Sequence, residues 1–177
     1  MRLPRLLYVL LIVLVAACGS ISSAQAQDQE QPSLVGGSVK GTLLDPSTYA
    51  PSVLQYESML LDWKSSQPFF RNGFVEENPR YTVNGLVHDV PVSYEVGKRR
   101  ILKDSLAVLP MMLANNAASN LIERSLIRRY PEHRKLLRTL GWIQRISLSS
   151  YVSYQLSASH FRQWQRNQQA ARQLGYR

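Results

Sequence analysis

Residues 131–174 read PEHRKLLRTLGWIQRISLSSYVSYQLSASHFRQWQRNQQAARQL. Leu136, Leu140, Ile143, Ser147, Tyr151, Tyr154, Ala158 and Phe161 recur at three- and four-residue steps. Side chains at that spacing fall on one side of an α-helix, so the row is expected to be the inner face of a long helix. Pro131 suits its first position, and the residue before a proline is disfavoured in a helix, which sets a boundary at Tyr130. Some forty residues is long for a small domain, which leaves room for a break near Gly141 or in the serine cluster.

Upstream, Leu102, Leu106, Leu109, Leu113, Ala117 and Leu121 form a second apolar row within Lys98–Arg129. That segment is expected to be one helix kinked at Pro110. Gln67 to Gly97 is different, because prolines at 68, 79 and 91 and glycines at 73, 85 and 97 interrupt it. Inside it, Tyr81-Thr82-Val83 and Leu86-Val87 flank Asn84-Gly85, a pair suited to a two-residue hairpin turn. Before it, Val53, Tyr56, Leu60 and Trp63 predict a helix between Pro46 and about Ser66, with Ser52 as N-cap after Pro51. The expected fold is mainly α: a small bundle of about three long helices, with an irregular segment able to hold a hairpin between the first two.

The N-terminus reads as an export signal. Arg2 and Arg5 precede an apolar run from Leu6 to Ala17, shorter than the roughly 20 residues that span a bilayer. Val15-Ala16-Ala17-Cys18 followed by Gly19-Ser20 resembles the lipobox of bacterial lipoproteins. That resemblance implies cleavage before Cys18 and a diacylglyceryl group on its sulfur. Ala24-Gln25-Ala26 also fits ordinary signal cleavage after residue 26. The stretch after Cys18 is rich in Ser, Gln and Gly and reads as a flexible tether. The expected organisation is therefore 1–17 signal, 18–45 tether and 46–177 helical domain.

Composition narrows the class. The one cysteine among 177 residues excludes a disulfide scaffold and any multi-cysteine zinc or iron–sulfur site. The net charge of +9 is unevenly placed: residues 27–97 carry −5 and residues 98–177 carry +12. The basic half either pairs with the acidic middle or meets anionic headgroups at a membrane surface. Behind an export signal, nucleic acid is not an expected partner, and no nucleic-acid-binding motif is present.

The candidate functional residues lie in the middle. Asp62-Trp63-Lys64-Ser65-Ser66 is followed by Gly73-Phe74-Val75-Glu76-Glu77-Asn78-Pro79. This arrangement resembles small bacterial helical membrane proteins of unknown function, in which an Asp-x-x-Ser/Thr element precedes a Gly-x-x-Glu-x-Asn-Pro turn. The resemblance covers about Tyr56 to Phe161 and implies a membrane-associated helix bundle with no established activity. The chain departs from that pattern in carrying Lys103, Arg124, Arg128, Arg138 and Arg145 on its later helices, where a charge at a bilayer centre costs several kcal/mol.

The cluster Asp62, Ser66, Glu76, Glu77, Asn78 and His88 is open to two readings. One is structural, with Asp62 paired to Lys64 or Arg71 and Asn78-Pro79 forming a turn. The other is carboxylate chemistry for metal binding or acid/base work, with His88-Asp89 as a further base. The histidines at 88, 133 and 160 lack metal-ligand spacing. No nucleophile elbow, phosphate loop or dinucleotide fingerprint occurs, so no catalytic residue and no cofactor is assigned. Ser147, Ser149, Ser150, Ser153, Ser157 and Ser159 either permit close helix approach or face solvent. Tyr151, Tyr154, Phe161 and Trp164 suit a bilayer interface.

The expected protein is a non-enzymatic interaction or structural domain of the bacterial cell envelope, anchored through Cys18. A membrane surface or anionic lipid is its expected partner, with an envelope protein as a further one. The alternatives are a soluble periplasmic or secreted protein, an integral helical bundle, and a small enzyme or ligand-binding protein using Asp62, Glu76 and Glu77.

Overall fold

The structure, a computed structural model, describes residues 33–176. Cys18, both expected cleavage sites and the first part of the expected tether lie outside the described residues. Within them the chain is mainly helical. The helices are α1 (Leu34–Leu44), α2 (Ala50–Arg71), α3 (Tyr94–Leu106), α4 (Leu109–Arg129) and α5 (Arg134–Leu174). Short 3-10 turns at Pro46–Thr48, Pro79–Tyr81 and Pro131–His133 each open on a proline, whose fixed φ suits a first helical position. The α class thus holds, with four helices of 13 residues or more rather than about three.

Several boundaries differ from the sequence expectation. The expected tether runs to residue 45, yet Leu34–Leu44 is a helix. Ser33 caps it by accepting the Gly36 amide at 3.0 Å. Its glycines serve close approach rather than flexibility: a Cβ at Gly37 would meet the Arg124 guanidinium of α4 at 2.5 Å. The expected Lys98–Arg129 helix is two helices separated at Ala107-Val108. Pro110 lies in the first turn of the second, where its missing N–H removes no hydrogen bond, so it starts a helix instead of kinking one.

The last helix runs unbroken for 41 residues, about 60 Å at 1.5 Å per residue. Gly141 does not interrupt it. It allows α4 to approach, since a Cβ there would collide with the Glu123 carboxylate. The first long helix extends to Arg71, and its N-cap is Tyr49, not Ser52. Pro68 sits inside its last turn.

The expected hairpin is also redrawn. Val83 N–H donates to Val90 O at 2.9 Å and Val92 N–H to Tyr81 O at 2.8 Å. Residues 81–83 therefore pair with 90–92, not with Leu86-Val87. The described residues contain only isolated antiparallel bridges here, Glu76–Asp89 and Thr82–Pro91. Thr82 Oγ1 lies 2.9 Å from Leu86 O and 3.0 Å from Pro79 O, which folds the intervening loop over itself.

The interior has two chemically different parts. Met59, Trp63, Tyr81, Val92 and Ile101 form an apolar core between α2, α3 and the 72–93 segment. Trp63 Nε1 donates to Tyr94 O at 3.1 Å, which fixes the ring that the other residues surround. The second part, where α1, α4 and α5 meet, is polar. Asn116 Nδ2 donates to Ser47 Oγ at 3.0 Å and Thr48 Oγ1 at 2.8 Å, and Asn120 Nδ2 to Thr42 Oγ1 at 3.0 Å. Arg145 donates to Asp45 at 2.8 Å and to Glu123 at 2.9 Å. Buried polar groups need partners of this kind, since an unpaired one costs about 1–3 kcal/mol.

This polar seam reverses the expected face of α5. The buried residues are Arg145, Ser149, Ser153 and Ser157, one every four residues. Leu136, Leu140, Ile143, Ser147, Tyr151 and Tyr154 point outward, with Tyr151 56% and Tyr154 62% exposed. The physical reason is close packing. Small side chains let α5 lie against α2, whose Ser58 is fully buried, and bulky ones cannot occupy that seam. The same shift by one step affects the upstream row: Ile101, Ser105, Met112, Asn116 and Asn120 are buried, while Leu102 and Leu106 are exposed.

Candidate functional site

Two features of the surface are candidates for function. The first is a cleft of about 470 Å³ between the C-terminal half of α2, the segment 74–81 and the C-terminal half of α5. Asp62 lines it. Its Oδ2 lies 2.8 Å from His160 Nδ1, and its Oδ1 lies 3.4 Å from Asn167 Nδ2. Asn167 Nδ2 also reaches Ser65 Oγ at 3.1 Å and Ser66 Oγ at 3.0 Å, and its Oδ1 accepts from Gln163 at 2.9 Å. The serine hydroxyls donate back to Asp62 O, at 2.8 Å from Ser65 and 3.0 Å from Ser66.

Helical spacing builds this site from both sides. Asp62, Ser65 and Ser66 share one face of α2, and His160, Gln163 and Asn167 share one face of α5. His160 Nδ1 faces the Asp62 carboxylate, so a proton on that nitrogen is shared with Asp62 Oδ2.

Glu76 and Glu77 line the rim. Glu76 Oε1 accepts the Asn78 amide at 2.8 Å, and its backbone pairs with Asp89. Burial pushes the Glu76 carboxyl above the ordinary carboxylate range. The Asn78 amide opposes that shift, and the nearby charges of Asp62 and Glu77 add to it. Tyr81 closes the floor, its hydroxyl donating to Asp104 at 3.1 Å. Burial, then the Asp104 charge, pushes that phenol well above its ordinary value.

Five of the six residues singled out in the sequence thus line one cleft: Asp62, Ser66, Glu76, Glu77 and Asn78. Asn78 has a structural task, accepting the Arg80 amide at 3.0 Å to cap the Pro79–Tyr81 turn. Asp62 bonds His160 and Asn167 rather than Lys64 or Arg71. His88 does not line the cleft. It occupies an exposed loop with φ of 58°, and Asp89 beside it accepts the Val90 amide at 2.7 Å and the Asn84 amide at 3.1 Å. The Val90 amide, first, holds that carboxyl below its ordinary range. His160 and Asn167 escaped the sequence reading. The available signal was their seven-residue separation, two turns of one helix, with Gln163 between them. Among the described residues no group of three or more His, Cys, Asp or Glu is arranged to hold a metal ion.

The second feature is the outward face of α5. The helix contains seven Arg or Lys and no Asp or Glu in 41 residues. Arg134, Lys135, Arg138, Arg162, Arg166 and Arg172 are exposed, while Arg145 is held in the polar seam. Leu136, Leu140, Ile143, Tyr151 and Tyr154 are exposed on the same helix, as is Trp142. No helix among the described residues is long and apolar enough to cross a membrane.

The chain matches no protein-family model, no curated protein and no solved structure.

Proposed function

We propose that this chain is a non-enzymatic interaction domain of the bacterial envelope that docks on an anionic membrane surface through the outward face of α5. The observation that carries this reading is the reversal of α5. Its serines are buried, and a row of Leu, Ile and Tyr is exposed on a helix that holds no acidic residue. A row of that composition has two favourable terms at a charged bilayer. Each Arg or Lys near an anionic surface contributes about 1 kcal/mol, and each apolar side chain withdrawn from water adds to it. Tyr and Trp rings place their apolar body below the headgroups and their polar edge in water. In this reading Cys18 supplies a lipid anchor and α5 lays the domain flat. A single weak attachment becomes a stable one when two signals act together.

The test uses the full chain with Cys18→Ser, so that lipidation cannot contribute. Co-sedimentation with vesicles containing phosphatidylglycerol is expected to exceed that with phosphatidylcholine vesicles and to weaken as salt is raised. Tyr151→Glu with Tyr154→Glu is expected to abolish that excess. Equal sedimentation with both vesicle types, unaffected by the double substitution, overturns the reading.

A further inference from the structure

α4 and α5 form a hairpin around the turn at Pro131–His133, and an apolar groove runs between them. Ile122 and Leu126 line it from α4, and Leu137 and Leu140 from α5, over a volume of about 290 Å³. These side chains are not interior: Ile122, Leu126 and Leu140 are 39%, 37% and 52% exposed. Leu140 also belongs to the outward row of α5, so the groove opens onto the face proposed to meet the membrane.

The two ends of the groove differ. Far from the turn, Gln144 Nε2 donates to Asn115 Oδ1 at 3.3 Å. At the turn, helical spacing continues each wall into an arginine. Arg129 lies three and seven residues beyond Leu126 and Ile122, and Arg134 lies three and seven before Leu137 and Gly141. Both are exposed, and neither has an ion pair among the described residues. Arg129 lies 5.6 Å over the Tyr130 ring, which holds it near the turn. Of the two acids nearby, Glu123 accepts from Arg145 at 2.9 Å, and Glu132 stands in the turn beside His133. Residues 128–135 carry four Arg or Lys against that one acid, so the turn is net positive.

We propose that this groove binds one anionic phospholipid of the bilayer. An acyl chain lies along Ile122, Leu126, Leu137 and Leu140, and the phosphate meets Arg129 and Arg134. The proposal rests on the membrane reading and deepens it by naming the lipid that the surface takes up. Two considerations select that occupant. The chain withdraws exposed Leu and Ile side chains from water, and a guanidinium pairs with a phosphate through two parallel N–H donors. No Lys or Arg lines the groove itself, so the positive charge stands at one end only. That order, apolar along its length and cationic at one end, matches a lipid. An acidic helix would need cations along its whole length.

Short-chain lipids, dissolved below their micelle concentration, separate this site from the membrane surface. The full chain with Cys18→Ser is titrated calorimetrically with dihexanoylphosphatidylglycerol, dihexanoylphosphatidylcholine and glycerophosphoglycerol, which has the headgroup without the chains. Saturable binding of the first is expected, with the other two about tenfold weaker or absent. Arg129→Gln with Arg134→Gln changes two exposed side chains, so the fold is retained, and is expected to weaken binding about tenfold. Leu126→Gln, on the groove wall, is expected to weaken it as well. Absence of saturable binding, equal binding of either control ligand, or unchanged affinity in either variant overturns the proposal. Self-association in sedimentation that Leu126→Gln abolishes assigns the groove to a second copy and overturns it too. A vesicle excess without short-chain binding sinks the groove and leaves the surface reading standing. Short-chain binding without a vesicle excess does the reverse.

Discussion

His160 Nδ1 stands 2.8 Å from Asp62 Oδ2, joining α5 to α2 across 98 residues of chain. The contact is half-buried, and Asn167 and the two serines complete it. It fixes the C-terminal half of α5 against a helix that otherwise meets it through small side chains. Removing Asp62 leaves His160 Nδ1 without its partner, while Asn167 keeps the Ser65 and Ser66 hydroxyls, so Asp62→Ala is expected to cost about 1–3 kcal/mol of stability. In a urea-unfolding double-mutant cycle, Asp62→Ala and His160→Ala should couple by about 0.5–3 kcal/mol. Strict additivity of the two would show that the pair does not act as a unit.

Arg145 holds the polar seam. One guanidinium edge serves Asp45 and another Glu123, and the side chain is only 9% exposed. Arg145→Met strands two carboxylates that the seam shelters, and is expected to destabilise by about 3–5 kcal/mol. Adding Asp45→Asn and Glu123→Gln to the same chain should recover much of that loss. Thermal unfolding followed by circular dichroism checks both. A triple variant as unstable as the single one would contradict the charge argument.

Ser52 separates two accounts of the start of α2. As an N-cap, its replacement by alanine would cost roughly 1 kcal/mol. In the structure Ser52 lies inside the first turn, buried, with no partner for its hydroxyl among the described residues. A buried hydroxyl without a partner carries its own desolvation cost. Ser52→Ala is therefore expected to leave stability unchanged or raise it by about 1 kcal/mol. A clear loss would restore the capping role.

The Glu76 carboxyl predicts a pH dependence of definite sign. Its folded-state value lies above the ordinary 4.5, chiefly through burial, so the folded chain binds that proton more tightly than the unfolded chain. Its contribution to stability falls as pH rises from 4.5 to the raised folded value and stays lost above it. Glu76→Gln keeps an acceptor for the Asn78 amide and removes the charge. The variant should be more stable than the parent near pH 7, and the difference should close by about pH 4. A difference independent of pH would place the effect in packing instead.

The α class was legible in the spacing of apolar residues, and so was most of the cleft. Asp62 and Ser66 are one turn apart on a helix, and Glu76 to Asn78 follow in a turn that returns to it. The partners from α5 were not legible, because pairing Asp62 with His160 requires knowing which side of α5 faces inward. That side was misread for a physical reason. Apolar periodicity identifies the core when helices meet through bulky side chains, and here they meet through Ser149, Ser153 and Ser157. The asparagines gave the same signal in α4, where Asn116 and Asn120 are buried by hydrogen bonding to Ser47, Thr48 and Thr42. Gly37 and Ser38 likewise read as tether by composition, although they lie buried in α1, which packs on α4.

The proposed function places the outward row of α5 at a lipid surface. A nitroxide label tests it directly when placed at Tyr154→Cys on that row, or at Glu57→Cys on an exposed position of α2, each in the Cys18→Ser chain. Electron paramagnetic resonance then compares access by oxygen, which concentrates in lipid, with access by a water-soluble nickel chelate. With phosphatidylglycerol vesicles the account predicts that the label at 154 gains oxygen access and loses chelate access, while the label at 57 changes little. Unchanged chelate access at 154 in chain that has bound the vesicles would contradict it.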